Sequence, residues 1–282
     1  MRFVATVFLW LVTTVALAIA VPTSWAQKNV VDENGYSALA TSAAKDPQLQ
    51  KAMADALGTQ LKKLVEGTGY DVNTDLLQGA AGRYTASAVF PGQFAQANRI
   101  AHRWMFTDSV QQADDSGRWQ VDLSPMLSDS SFQETLLQFG IRAPSKLEVP
   151  LTENVSDSVR PGQLRQLSTW GPWVSVGATI LTAVLALLTL AAARSRGKAL
   201  AALGVSALLV GAAGWAGLEV ARRYINTALD RTQGDIRQVA GAMVNHAEGS
   251  MHQWLNLTLA AGGVLVVFGV VVSMLGGLRR RD

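Results

Sequence analysis

The chain offers few side chains for chemistry, with three histidines and no cysteine among its 282 residues. The missing cysteines exclude disulfides, iron–sulfur clusters, cysteine zinc sites and thiol catalysis. His246 and His252 are six positions apart, about 600° of helical rotation, so a helix would place them on different faces. Glu248 completes no metal-binding spacing with them. We therefore expect no metal and no cofactor, and interpret both histidines as polar loop residues.

Another group of polar side chains recurs at helical spacing: Asn98, Arg99, His102 and Arg103. In a functional interpretation, His102 acts as a base or contacts an anion. In a structural interpretation, which we favour, the group is the polar face of a helix whose other face carries Phe94 and Trp104. Asp114-Asp115-Ser116-Gly117 is typical of a turn rather than of paired catalytic carboxylates. No motif of a serine nucleophile or a phosphate-binding loop is present, so we predict no catalytic residue.

Four apolar stretches dominate the chain and predict membrane spans. At 1.5 Å per residue, about 20 apolar residues cross the hydrocarbon core. The windows 3–21, 171–193, 199–220 and 254–278 meet this length, and Glu219 is their only charged residue. Apolar residues make up 49% of the chain and charged residues 16%, a balance that excludes an intrinsically disordered protein.

The basic residues that flank these windows predict the orientation. Seven of them fall on one side if both termini are cytoplasmic: Arg2, Arg194, Arg196, Lys198, Arg279, Arg280 and Arg281. Cytoplasmic segments are enriched in Lys and Arg, so we predict a multi-pass protein of the plasma membrane with its main domain outside. The pI near 9.3 then reflects topology, and we expect no nucleic-acid partner. Five tryptophans at the outer ends of the windows agree with an interfacial belt: Trp25, Trp170, Trp173, Trp215 and Trp254.

The spans divide the chain into eight segments. These are an N-terminal transmembrane helix (1–26), an extracytoplasmic domain (27–170), a transmembrane helix (171–193), a cytoplasmic link (194–198), a transmembrane helix (199–220), an extracytoplasmic helical hairpin (221–253), a transmembrane helix (254–278) and a cytoplasmic tail (279–282). The first helix has a signal-peptide alternative, because Ser24 and Ala26 are small residues suited to cleavage after Ala26. Its apolar run of about 19 residues favours a retained anchor.

The extracytoplasmic domain is predicted to be mostly helical. Asp46-Pro47 is typical of a helix start. It precedes apolar residues at three- and four-residue steps: Leu49, Met53, Leu57, Leu61 and Leu64. Further helices are expected over about 33–44, 71–90, 94–105 and 132–139, with strands over 119–123 and 147–149. The predicted fold class is therefore a mainly α membrane protein, with four transmembrane helices and a mostly helical α+β extracytoplasmic domain containing a small β element.

The 221–253 segment keeps helical spacing of apolar residues, from Ile225 to Met243, with a break at Gly234-Asp235. We expect a helical hairpin that packs against the extracytoplasmic domain, since the apolar stripe needs cover. The alternative is a hairpin lying on the outer membrane surface. Glu219 is expected to pair with Arg222 or Arg223 at the outer interface.

Glycines crowd the last two spans: Gly211, Gly214 and Gly217 in the third, and Gly262, Gly269 and Gly276 in the fourth. Such faces let membrane helices approach closely, so we interpret them as packing within one bundle or a dimer rather than as a transport path. Transport would require polar residues near the midplane. The candidates are hydroxyls expected to bond their own i−4 carbonyls: Thr179, Thr182, Thr189 and Ser206.

The order of several short motifs resembles that of a known family. These are Ala44-Lys45-Asp46-Pro47, Phe90-Pro91-Gly92-Gln93-Phe94, Ala97-Asn98-Arg99 with Ala101-His102, and Val121-Asp122-Leu123-Ser124-Pro125. The chain is similar to a family of actinobacterial integral membrane proteins with four spans and one large extracytoplasmic domain. The resemblance implies the architecture and a cell-envelope location, and it carries no functional residues to this chain.

Three functions remain as hypotheses. The first is a non-enzymatic envelope protein whose outer domain is a binding or scaffolding platform, with the bilayer and another envelope or membrane protein as partners. The second is an accessory subunit of a membrane transporter or channel, docked through the glycine faces. The third is an extracytoplasmic enzyme. A homo-oligomer is left open.

Overall fold

A computed structural model of the chain describes residues 2–66, 74–107, 120–122, 133, 148–150, 162–230 and 234–278. Helices dominate these residues. In chain order the elements are α1 (Arg2–Ala26), continued by a π-helix (Gln27–Val31), α2 (Glu33–Ala43), α3 (Pro47–Glu66), α4 (Thr74–Thr85), α5 (Phe90–Phe106), β1 (Gln120–Asp122), β2 (Glu148–Pro150), α6 (Arg165–Ala192), α7 (Arg196–Leu229) and α8 (Asp235–Leu278).

Within the described part of the chain, four helices are long and apolar enough to cross a membrane: Phe3–Val31, Arg165–Ala192, Arg196–Leu229 and Asp235–Leu275. The chain therefore has the helices of a multi-pass membrane protein. Each helix is longer than its predicted window, because hydropathy detects only the apolar part of a helix. The polar residues that flank each window continue the same backbone conformation.

The contacts divide the chain into two units. The first, which we call the membrane unit, comprises residues 1–30, 169–223 and 248–282. The second, the helical domain, comprises residues 31–168 and 224–247. The division falls within α6, α7 and α8, so each of these helices contributes residues to both units.

Contacts inside the membrane unit fix the direction of each helix relative to its neighbour. Thr13 and Ser24 of α1 meet Thr189 and Thr179 of α6 in reverse order, so these helices are antiparallel. Trp10 and Thr14 meet Ala202 and Ser206 of α7 in the same order, so α1 and α7 are parallel. Between α7 and α8, Gly197 contacts Gly269 and Gly204 contacts Gly262, so these two helices are antiparallel. Consequently the amino ends of α1 and α7 and the carboxyl ends of α6 and α8 lie at one end of this unit.

In the helical domain, α3 packs against α4 and α2 against α5. The predicted starts of α2 and α3 are confirmed, because the Asp32 carboxylate accepts from the Gly35 N–H at 2.7 Å and Asp46 accepts from Gln48 N–H at 2.8 Å. The core among the described residues is apolar and largely helical: Ala40, Ala43, Ala44, Leu49, Leu61, Leu77, Ala80, Tyr84, Phe90, Phe94 and Ala95. Val239, Ala242 and Met243 of α8 pack against it, which gives the apolar stripe of the 221–253 segment the cover that the sequence requires.

The predicted fold class is wrong in one part, since the described residues of this domain are overwhelmingly helical and do not support an α+β class. Its core cluster comes from helices and the turn after α2. The strands β1 and β2 are three residues each and pair antiparallel, with Val121 opposite Val149. A single ladder of this length forms no layer for helices to pack on, so it does not define an α+β domain. The predicted turn at 114–117 and most of the predicted helix at 132–139 lie outside the described residues.

Candidate functional site

The polar face of α5 meets the first turn of α2 and forms an ionic cluster. The Arg103 guanidinium donates from Nε to both oxygens of Glu33 at 3.0 Å, and from Nη2 to Oε1 at 2.8 Å. Arg99 adds a contact of 3.6 Å from its Nε to the same carboxylate. The hydrogen bond from Arg103 lowers the pKa of Glu33, and the nearby positive charges lower it further, against a smaller raising effect of burial. The same hydrogen bond raises the pKa of Arg103.

His102 is buried between two aromatic rings. Its ring stacks on Phe106 with centroids 4.2 Å apart and lies 5.1 Å from the ring of Tyr36. The Tyr36 hydroxyl donates to Asn98 Oδ1 at 3.1 Å, and burial raises the pKa of Tyr36. Because its ring contacts Phe106 of its own helix and Tyr36 of α2, this histidine packs α2 against α5.

The structure thus brings the four predicted polar residues of α5 together, but in a helix–helix contact. Sequence reasoning missed their partners on α2, which are Glu33, Asn34 and Tyr36. A signal for them was available. Glu33 follows the N-cap Asp32, so it had to lie in the first turn of a helix, where an acidic residue is also favourable. Its charge is opposite to that of the basic face on α5.

The histidines of the last helix are not loop residues, and that interpretation was wrong, because α8 runs unbroken from Asp235 to Leu278. The ring of His252 stacks on Trp215 at 3.9 Å, and the Trp215 indole donates to Asn256 Oδ1 at 3.3 Å. Glu248 is buried, with Oε2 3.7 Å from Arg222 Nε. Arg222 therefore pairs with Glu248 of α8 and not with Glu219, so one of the two pairings expected for Glu219 is wrong. Among the described residues, no three His, Asp or Glu side chains converge to hold a metal.

The glycines of α7 and α8 form one interhelical seam. A Cβ at Gly204 would lie 2.6 Å from the Gly262 carbonyl oxygen, and one at Gly269 would lie 2.6 Å from the Gly197 carbonyl oxygen. Only glycine permits this backbone approach. On α7 the contacts follow a heptad of Gly197, Gly204 and Gly211, which was not predicted; the predicted glycines were Gly211, Gly214 and Gly217. That heptad mirrors the spacing of Gly262 and Gly269.

Hydroxyl groups of α6 and α7 join the first span to its neighbours. Each predicted candidate bonds its own i−4 carbonyl, as expected: Thr179, Thr182, Thr189 and Ser206. Three of them also meet a hydroxyl of α1, at 3.2 Å for Thr179 with Ser24, 3.3 Å for Thr189 with Thr13 and 2.7 Å for Ser206 with Thr14. All three pairs are helix–helix contacts. Thr189 and Ser206 are buried, whereas the pair of Thr179 with Ser24 is exposed.

No protein-family model matches the chain, and no curated protein and no solved structure is detectably similar to it. The resemblance to a four-span envelope family therefore stays a prediction that rests on the order of short motifs. The contacts described above carry the functional argument.

Proposed function

We propose that the chain is a non-enzymatic multi-pass protein of the plasma membrane. Both termini are cytoplasmic, and the helical domain is an extracytoplasmic platform that binds another envelope or membrane protein. The proposal agrees with the resemblance to envelope proteins of actinobacteria and with the basic residues at one end of the membrane unit.

One observation carries the proposal. Val239, Ala242 and Met243 pack against the core of the helical domain, and they belong to the same unbroken helix as the fourth span. The domain is therefore completed by the connection between two spans. A soluble enzyme on a flexible tether needs no such arrangement, whereas a surface that must stay at the membrane benefits from it.

Two further observations favour a platform over the alternatives. The candidate catalytic side chains are committed to packing, with His102 stacked between rings and Arg103 held by Glu33. At Gly262 and Gly269, the glycine face that an accessory subunit was expected to use for docking is already occupied by α7. We therefore do not propose docking through these faces.

The test is cross-linked affinity purification of the full chain from native membranes, comparing two variants of α8. Met243→Lys places a charge in the domain core, whereas Asn245→Lys changes an exposed position two residues away. The proposal expects specific partners that are lost with Met243→Lys and kept with Asn245→Lys, at equal amounts of membrane-inserted protein. Partners that persist in both variants would indicate binding through the spans and contradict the proposal.

A further inference from the structure

Basic side chains concentrate at one end of the membrane unit. The pairing of the helices brings the amino ends of α1 and α7 and the carboxyl ends of α6 and α8 to that end. Between α6 and α7, the side chains of Arg194, Arg196 and Lys198 are all exposed. In sequence, three further arginines directly follow Leu278, the last residue of α8, and Arg2 begins α1.

The opposite end of the membrane unit differs in charge. There Arg222 faces the buried carboxylate of Glu248, and Glu219 lies one turn away along α7. Both signs of charge are therefore present. Lys28, Arg222 and Arg223 exceed Glu219 and Glu248 there by one positive charge, whereas the α6–α7 link carries three basic residues and no acidic one.

Apolar side chains are exposed next to this basic end. Leu187 lies seven residues before Arg194, about 10 Å along the helix, and its side chain is exposed. Met274 and Leu275, in the last turns of α8, are exposed as well. A basic rim beside an exposed apolar band matches a molecule that has an anionic head and apolar tails, rather than a soluble anion.

We infer that this end of the membrane unit binds anionic phospholipids, with Arg194, Arg196 and Lys198 contacting the phosphate groups and the adjacent apolar side chains contacting the acyl chains. Guanidinium groups present two parallel N–H donors to phosphate oxygens, and the lysine ammonium adds a point charge. The preference for anionic over zwitterionic lipid comes from the uncompensated positive charge. The inference goes beyond the proposed function, because it concerns the end of the membrane unit that carries the α6–α7 link and not the helical domain.

The experiment uses the full chain in nanodiscs containing equal amounts of phosphatidylglycerol and phosphatidylcholine, with native mass spectrometry of the lipids that stay bound. Both leaflets of a nanodisc have the same composition, so the result does not depend on which end is cytoplasmic in cells. One variant replaces Arg194, Arg196 and Lys198 with glutamine. Its matched control replaces three exposed lysines of the helical domain with glutamine: Lys45, Lys51 and Lys63.

We expect the wild-type chain and the control to retain phosphatidylglycerol in preference to phosphatidylcholine. The link variant should lose this preference. Each Lys or Arg near an anionic surface strengthens binding roughly fivefold, so removing three weakens the apparent affinity for phosphatidylglycerol by about 100-fold. A further variant with Arg194→Lys, Arg196→Lys and Lys198→Arg keeps the charge and should keep most of the preference.

Two results would overturn the inference. One is an unchanged preference in the link variant. The other is an equal loss in the link variant and the control, because net charge rather than position would then explain the binding. An unfolded link variant is recognised by a lower thermal midpoint than that of the control. In that case the charge-preserving variant provides the test, because a loss of its preference for phosphatidylglycerol would also contradict an electrostatic site.

Discussion

A methyl group added to the seam between α7 and α8 gives the most quantitative prediction. In Gly262→Ala, the new Cβ would lie 2.9 Å from both the Gly204 carbonyl oxygen and the Leu208 nitrogen, and 3.1 Å from the Ala207 Cβ. Carbon contacts prefer about 3.5–4.0 Å, so the two helices must separate by roughly 0.5 Å or more. The adjacent Gly263→Ala meets nothing within 4 Å.

The two substitutions have the same intrinsic effect on helix stability, but only Gly262→Ala has a packing cost. Alanine is favoured over glycine in a helix by about 1 kcal/mol. Overpacking costs about 1–3 kcal/mol, so Gly262→Ala should be destabilised by about 1 kcal/mol net. Gly263→Ala should be neutral or stabilised by up to about 1 kcal/mol.

The assay is unfolding of the purified chain in mixed micelles of mild detergent and dodecyl sulfate, followed by helical circular dichroism. We expect Gly262→Ala to unfold at a lower dodecyl sulfate fraction than Gly263→Ala, and their free energies of unfolding to differ by about 2 kcal/mol. Equal midpoints, or a more stable Gly262→Ala, would refute the argument that the α7 and α8 backbones are in contact at this glycine.

Three other predictions concern single side chains. His102→Ala should lower thermal stability by roughly 2 kcal/mol because it removes a stacked, buried ring; an unchanged midpoint would contradict the packing role. Thr189→Val should cost about 0.6 kcal/mol more than the control Thr182→Val, since only Thr189 also bonds Thr13; equal costs would contradict the interhelical bond. The pKa of Glu33 is lowered, so its carboxylate stabilises the domain fully above pH 4.5, and this stabilisation is lost as the pH falls through the folded pKa. Glu33→Gln should therefore lower the thermal midpoint at pH 7, and the decrease should be smaller at pH 4.

The sequence predicts the helices well because their signals are local. The apolar windows locate the spans, and Asp46-Pro47 with its leucine stripe locates α3, which begins at Pro47. The glycine spacing on the fourth span indicates close packing. It could not identify the partner, since Gly262 faces α7 only by virtue of the antiparallel register of these helices.

The sequence predicts that the polar residues of α5 lie together, but it does not predict that they form a helix–helix contact. The spacing of Arg99, His102 and Arg103 places them on one face of a helix, and the structure agrees. Whether such a face is open or covered depends on α2, about 60 residues earlier in the chain. The α+β class was wrong for a related reason, although strands lie at 120–122 and 148–150, close to where they were predicted. Alternation over 119–123 reports local geometry, whereas the class of a domain depends on which elements form its core.

The orientation of the chain tests the account most directly, and the absence of cysteine makes the measurement clean. Two conservative variants each carry one cysteine: Ser42→Cys, exposed on α2 of the helical domain, and Ser195→Cys, in the link between α6 and α7. Intact cells are treated with a membrane-impermeant maleimide, and lysed cells serve as the reference. The account predicts labelling of Ser42→Cys in intact cells and of Ser195→Cys only after lysis. Labelling of Ser195→Cys with protection of Ser42→Cys, or equal labelling of both, would contradict an outward-facing platform.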